Sequence, residues 1–332
     1  MQVTLGLQSN KTLTTYGRIA ALAETFRFDG ISVFSDLGFQ PSLPALLEIA
    51  RCSQSLRIGP ACYSPILTHP LEIAGQIAML DHASHGRAYL GLARGSWMDV
   101  IGLSQHNALS RIEETLCVLR LLLSGNDEGF SGQHFTVQQG FQLSYPVLRT
   151  SIELLLGAWG PQGLALGARE FDEVKLGGCA NPTMVALARA ELDAATPPQT
   201  GHRTRTKLVC GAVTVIDQDG AMARRLARQE VALYLDVVAH LDRTYEVAPD
   251  VLMSLRRALT LHDREAAGRC IPDEVLSRFA LAGTPSEIID QIGELRAAGI
   301  DRVEFGTPHG IDEMEGIQLL GTLVLPELRR LV

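Results

Sequence analysis

The sequence predicts an α/β fold of the (β/α)8 TIM-barrel class, read as one domain over residues 1–332 with insertions at about 125–150 and 177–282. Three observations predict it. Short β-rich runs alternate with helical stretches, which argues for parallel strands joined by crossover helices. No GxGxxG follows the first strand and no GxxxxGK[ST] occurs, so the doubly wound and P-loop folds lose their main support. The 332 residues exceed one ordinary domain but suit a barrel whose usual ~250 residues carry insertions.

The elements follow in order. Val3–Leu7 is an apolar strand, and the helical stretch Tyr16–Phe26 ends at Asp29-Gly30. Ile31–Phe34 is the second strand, Pro44–Arg51 a helix, and Leu56–Gly59 the third strand. Leu71–Leu80 has apolar residues at helical spacing, and Ala88–Leu92 is the fourth strand. Ile112–Leu123 is an amphipathic helix closed by Ser124-Gly125-Asn126, with a hairpin following over Phe130–Val137. Ile152–Leu156 reads as a buried strand running into Gly157-Ala158-Trp159-Gly160-Pro161 and a short helix. Glu173–Leu176 and Leu208–Val215 are further strands, separated by a Pro197-Pro198 loop over Ala195–Gly201. Arg224–Leu241 reads as one helix, and residues 242–282 as helical. Thr284-Pro285 caps a helix that Gly299 ends, Arg302–Phe305 is a strand, and Met314–Leu331 is a closing helix. About eight strands result.

Composition narrows the function. A net charge of −8 gives no basic footprint for nucleic acid. No apolar run reaches the ~18 residues of a membrane span, and Met1-Gln2-Val3-Thr4 lacks the order of a signal peptide. The six cysteines are scattered without a CxxC pair, as in a reducing compartment, so a cytoplasmic protein is expected. His82 and His85 share a helix end without a third ligand, and no metal is expected.

In a barrel of this class the chemistry lies at the C-terminal strand ends. These are Gln8-Ser9, Ser35-Asp36, Ala61–Ser64, Arg94–Trp97, Gly157–Pro161 and Gly177–Pro182. The Gly157–Pro161 turn precedes a helix whose first amides suit a phosphate; the alternative is a tight βα turn. Asp36 suits a ligand to a polar cofactor group or a cap for the next helix, and His69-Pro70 sits at a helix start. Trp97 and Trp159 suit either a pocket wall or the core. Arg203, Arg205 and Lys207 read as a solvated strand edge, with phosphate contact as the alternative. Arg224, Arg225 and Arg228 read as an exposed helix face paired at i,i+3 and i,i+4.

These segments resemble the bacterial luciferase-like superfamily, (β/α)8 enzymes that use flavin or deazaflavin. The resemblance rests on Leu67–Pro70, Ala78–Arg87 and Leu90–Gly95, taken with Leu123–Gly125, Leu156–Pro161, Gly283–Glu287 and Ala298–Asp301. Leu5–Gln8, Asn181-Pro182, Gly306–Gly310 and Leu319–Gly321 bring it nearest to the coenzyme F420-dependent branch, especially the methylenetetrahydromethanopterin reductases. The resemblance implies an F420-dependent oxidoreductase, a homodimer acting on a small molecule. It places Asp36, Ala61, Cys62, Ser64, Asp99 and the turn Gly157, Ala158, Trp159, Gly160 and Pro161 around the cofactor. It also implies a non-prolyl cis bond at Ala61–Cys62.

The departures matter as much. Gln8, Leu37 and Ser96 stand where members carry an acid, a histidine and a glutamate. Neither glutamine nor serine readily replaces a carboxylic acid as a proton donor at neutral pH. Protons then fall to His69, Tyr63, Asp99 or water, and the substrate is not assumed to be the reductases' pterin. The alternatives are an FMN-dependent monooxygenase and a non-catalytic flavin- or deazaflavin-binding homologue.

Overall fold

A computed structural model describes residues 1–196 and 205–330. Arg203, Leu331 and most of the predicted Pro197-Pro198 loop lie outside the described residues. The strands, in chain order, are β1 (Gln2–Leu7), β2 (Gly30–Val33), β3 (Arg57–Pro60), β4 (Tyr89–Ala93), β5 (Phe130–Ser131), β6 (Thr136–Val137), β7 (Glu153–Gly157), β8 (Glu173–Gly177), β9 (Lys207–Ile216), β10 (Ala280–Gly283) and β11 (Arg302–Gly310). Helices alternate with the long strands as predicted. Contacts divide the chain into two compact units.

One unit comprises Met1–Leu7, Thr25–Asp29 and Ala158–Val332. Here β1 pairs in parallel with β11, β11 with β9, and β9 with both β8 and β10. Val3, Leu5 and Leu7 of β1 are buried, and so is Thr4 between them. Apolar residues thus fill one face while the other face is also covered, the pattern of a sheet enclosed on both sides. Helix Pro285–Ala297 starts with the predicted cap: Thr284 N donates to Glu287 Oε2 at 2.7 Å, and Glu287 N to Thr284 Oγ1 at 3.4 Å.

Four expectations are corrected in this unit. The helix read over Arg224–Leu241 spans Gly220–Ala232 and resumes only at Leu235–Val238. Tyr234, in the break, donates its hydroxyl to Phe279 O at 2.7 Å, and burial pushes its phenol well above the ordinary range. Within the stretch read as helical, Ala280–Gly283 is the strand β10, because parallel pairing with β9 outweighs the helical propensity of alanine and leucine. The closing helix runs Glu313–Leu319, loosens into a π turn over Leu320–Val324 and resumes at Leu325–Arg330, where Pro326 removes an amide donor. Arg224, Arg225 and Arg228 pair not along their own helix but with Glu287, Glu265 and Asp273 of other elements.

The other unit comprises Gln8–Glu24 and Gly30–Gly157. In it β2 pairs with β3 and β4 with β7, all parallel, and bridges at Ile58–Ala88 and Tyr63–Leu92 connect β3 to β4. The predicted hairpin is present as β5 and β6. The Ala78–Arg87 motif has structural roles. Asp81, 1% exposed, takes a two-pronged bond from Arg149, with Nη2 at 2.5 Å and Nε at 3.0 Å. Arg149 also donates to Ala88 O at 2.6 Å, so one guanidinium ties the segment entering β7 to the helix Pro70–Ala83 and to β4. Arg87 donates to the carbonyls of Ser53, Leu56 and Ser84, closing the loop before β3.

Among the described residues, no helix is long and apolar enough to cross a membrane, and no group of three His, Cys, Asp or Glu could hold a metal. Removing Arg149 leaves the buried Asp81 carboxylate unpaired, a loss of about 3 kcal/mol. Denaturant unfolding of Arg149→Ala is expected to show that loss, and a change under 1 kcal/mol would contradict it.

Candidate functional site

Parallel pairing carries the ends of β2, β3 and β4 to one edge of their unit. After Pro60, the Ala61–Cys62 bond is cis, as the resemblance implied. The bulge is clamped on both sides: Ala61 N donates to Val33 O at the end of β2, and Tyr63 N donates to Gly91 O in β4, each at 2.9 Å. Gly91 must lack a side chain. A Cβ there would collide with Pro60 O and stand 3.1 Å from Cys62 Sγ. Buried Ser64 then donates to Arg94 O at 2.9 Å, fastening the bulge to the loop after β4. That loop turns through left-handed Gly95 and Trp97, and Gln105 Nε2 holds Gly95 O at 2.7 Å. Asp99 lies exposed in its short 3-10 turn, Met98–Ile101. Asp36 is half-buried just past β2. It does not cap the next helix, which begins at Ser42 after Pro41 with no side-chain cap. Asp36, Ala61, Cys62, Ser64 and Asp99 therefore occupy loops on a single edge.

The expected proton-transfer residues are less free than the sequence implies. Tyr63 is buried with its hydroxyl on Ser42, and burial raises its pKa, so it stays a phenol at neutral pH. His69 caps the helix Pro70–Ala83, its Nδ1 accepting from Leu71 N at 3.1 Å, and its ring meets Phe135 edge-on at 5.3 Å. No hydrogen bond joins Tyr63, His69 and Asp99. Gln8 is buried, and its carbonyl accepts from Tyr16 Oη at 2.8 Å.

In the first unit, the turn Ala158–Pro161 leans on β8. Ala158 N donates to Lys175 O and Trp159 Nε1 to Gly177 O, both at 3.2 Å. Trp159 is buried, so it supports the turn, whereas Trp97 is 37% exposed on its loop. Gly160 begins the helix Pro161–Glu170, and no side chain caps it. A Cβ at Gly160 would meet nothing within 4 Å. An uncapped helix start with open approach suits an anion, because its amides and the helix dipole both favour negative charge.

One cluster escaped the sequence reading. Glu173, Lys175, Arg302 and Glu304 are buried together in the first unit. Arg302 bridges Glu173 Oε2 at 2.7 Å and Glu304 Oε2 at 3.4 Å, and it donates to Thr4 Oγ1 at 3.1 Å. Lys175 Nζ pairs with Glu304 Oε1. The signal lay in opposite charges two apart, 173/175 and 302/304, which strand periodicity puts on one face. These charges stand at the first and third residues of β8 and β11, away from the C-terminal strand ends.

The family model for luciferase-like monooxygenases matches residues 2–302. The chain belongs to that family. A 5,10-methylenetetrahydromethanopterin reductase from Archaeoglobus fulgidus is 28% identical over 315 residues, covering 93% of this chain and 94% of the relative. An F420-dependent glucose-6-phosphate dehydrogenase from Rhodococcus erythropolis is 23% identical over 94% of this chain and 93% of its own. The solved structure of a coenzyme F420-dependent tetrahydromethanopterin reductase from Methanopyrus kandleri superposes with a TM-score of 0.87 at 22% identity, covering 98% of this chain and 99% of that one. The fold is the luciferase-like (β/α)8 barrel class that the sequence predicted. Members share this fold, and the bulge after β3 is where this chain departs from a plain ladder.

Gly91→Ala forces a Cβ against Pro60 O and the Cys62 sulfur, an overpacking cost of about 2 kcal/mol. A lowered melting temperature is expected, and a wild-type value would show that the bulge yields freely.

Proposed function

We propose that the protein is an F420-dependent oxidoreductase that moves hydride between the deazaflavin and a carbon of a small organic substrate, as a homodimer in the cytoplasm. The observation that carries this reading is the uncapped, openly approached helix start at Gly160, at the position the family turn assigns to the cofactor's phosphate. Two full-length relatives whose names state F420 or pterin-reductase activity support it. The cofactor, when bound, supplies the hydride chemistry.

The chain's own residues bind and orient. The turn Gly157, Ala158, Trp159, Gly160 and Pro161 brings the phosphate to the first amides of the Pro161–Glu170 helix, from Gln162 onward, with Trp159 bonded to Gly177 O beneath it. That arrangement needs few cations, which agrees with a net charge of −8. Ala61, Cys62 and Ser64 present the clamped bulge to the ring, with Asp36 and Asp99 on the flanking loops. His69, Tyr63 and Asp99 remain the strand-end groups proposed for acid–base work. The FMN-dependent monooxygenase reading is favoured only by the family's description.

Titrating the purified protein with F420 and with FMN, following absorbance and fluorescence, separates the two. F420 is expected to bind at least about tenfold tighter; tighter FMN would make the protein a flavin monooxygenase. A screen of carbonyl and imine compounds with reduced F420 then finds the acceptor, and binding without turnover would point to a non-catalytic homologue. Gly160→Trp is expected to weaken F420 at least about tenfold at an unchanged melting temperature, since the fold leaves that position open. Unaltered affinity would remove the turn from the site.

A further inference from the structure

We propose that Lys175 is a proton-transfer residue of this enzyme beyond His69, Tyr63 and Asp99, held by Glu304 and acting on the oxygen or nitrogen of a carbonyl or imine substrate. The proposal rests on the cofactor reading above.

The choice of residue is informative. Of the 29 lysine and arginine residues, only Lys11, Lys175 and Lys207 are lysines. A chain that builds its cations almost wholly from arginine has placed a lysine inside the charged cluster, beside Arg302. Arginine keeps its proton at any ordinary pH, whereas a lysine ammonium can release one. A structural cation alone would have no need of the exception.

The lysine side chain is the least enclosed of the four. The side chains of Glu173, Arg302 and Glu304 are each 1% exposed, and that of Lys175 is 8% exposed. Two residues further along β8, on the same face and nearer the strand end, stands Gly177, where a Cβ would meet nothing within 4 Å. A Cβ on Gly211 would stand 2.7 Å from Lys175 Cε, so the lysine lies across a glycine of β9. The backbone carbonyls of Lys175 and Gly177 receive the two bonds that brace the cofactor turn. The lysine therefore stands on the strand that supports the proposed phosphate site, with open space toward the end where family chemistry occurs. The charged and titratable groups around it include Glu304 and Arg302 of β11, Glu173 of β8 and the Cys210 thiol of β9.

In the reducing direction, the substrate carbon receives hydride, with its electron pair, from the reduced deazaflavin. The C=O or C=N π pair shifts to the heteroatom, which takes a proton from Lys175 Nζ. One N–H bond breaks, one O–H or N–H bond forms, and the neutral amine recovers a proton from water. Oxidation runs the same transfers backwards. This supplies what Gln8, Leu37 and Ser96 cannot.

With only three lysines, the test is direct. The native protein is methylated with formaldehyde and a borane reductant, with and without saturating F420, and each lysine is followed by peptide mass spectrometry. Lys175 is expected to react, more slowly than Lys11 and Lys207, and F420 is expected to slow it at least tenfold while leaving the other two unchanged. An unreactive Lys175, or one that bound F420 does not protect, overturns the proposal. If fluorescence shows that FMN binds and F420 does not, the cofactor reading fails, and protection by FMN keeps the lysine's assignment. On the acceptor found in the screen, Lys175→Arg is expected to lower kcat about 100-fold with the melting temperature and cofactor affinity kept. Full activity in Lys175→Arg would leave the lysine as a structural cation. Should Lys175→Arg fail to fold, Lys175→Met/Glu304→Gln, which leaves no unpaired carboxylate, reports the same loss.

Discussion

The constraint on which this structure depends is parallel strand pairing. A parallel ladder cannot be closed by a tight turn, so each strand needs a crossover before the next can pair. The crossovers between β2, β3 and β4 are helices, and they return the chain so that those strand ends emerge together. Chemistry can then be assembled on loops distant in sequence, such as those carrying Asp36, Cys62 and Asp99. The helices contribute differently: the Pro161–Glu170 helix offers amides at its start, and the Pro70–Ala83 helix takes up His69 as its cap.

Much of this was legible because it is local. Apolar runs, breakers and caps placed β1 to β4, β7, β8, β9 and β11, and the Thr284–Glu287 capping box was readable as written. Local propensity misled where pairing decides. Ala280–Gly283 has the composition of a helix and becomes β10 only because β9 lies beside it. The break at Tyr234 arises from a bond to Phe279, 45 residues away, which no window contains.

The candidate site was legible in a different way. The cis bond lies at Ala61–Cys62, where the resemblance put it, and the turn before the Pro161–Glu170 helix is present as read. Individual side-chain roles were not. His69 and Tyr63 carry the right chemistry on paper, yet one caps a helix and the other is sealed against Ser42. The Glu173–Lys175–Arg302–Glu304 cluster was hidden because its members look like alternating surface charges until β8, β9 and β11 bring them inside. Buried ion networks of this kind cost desolvation that their mutual attraction only partly repays.

The central claim is that this family member holds a deazaflavin cofactor, with the Gly157–Pro161 turn as its phosphate site. The most direct measurement is a crystal structure of the protein with F420. The account predicts the phosphate on the first amides of the Pro161–Glu170 helix, from Gln162 onward. A phosphate bound elsewhere, with that helix start left to solvent, would contradict it.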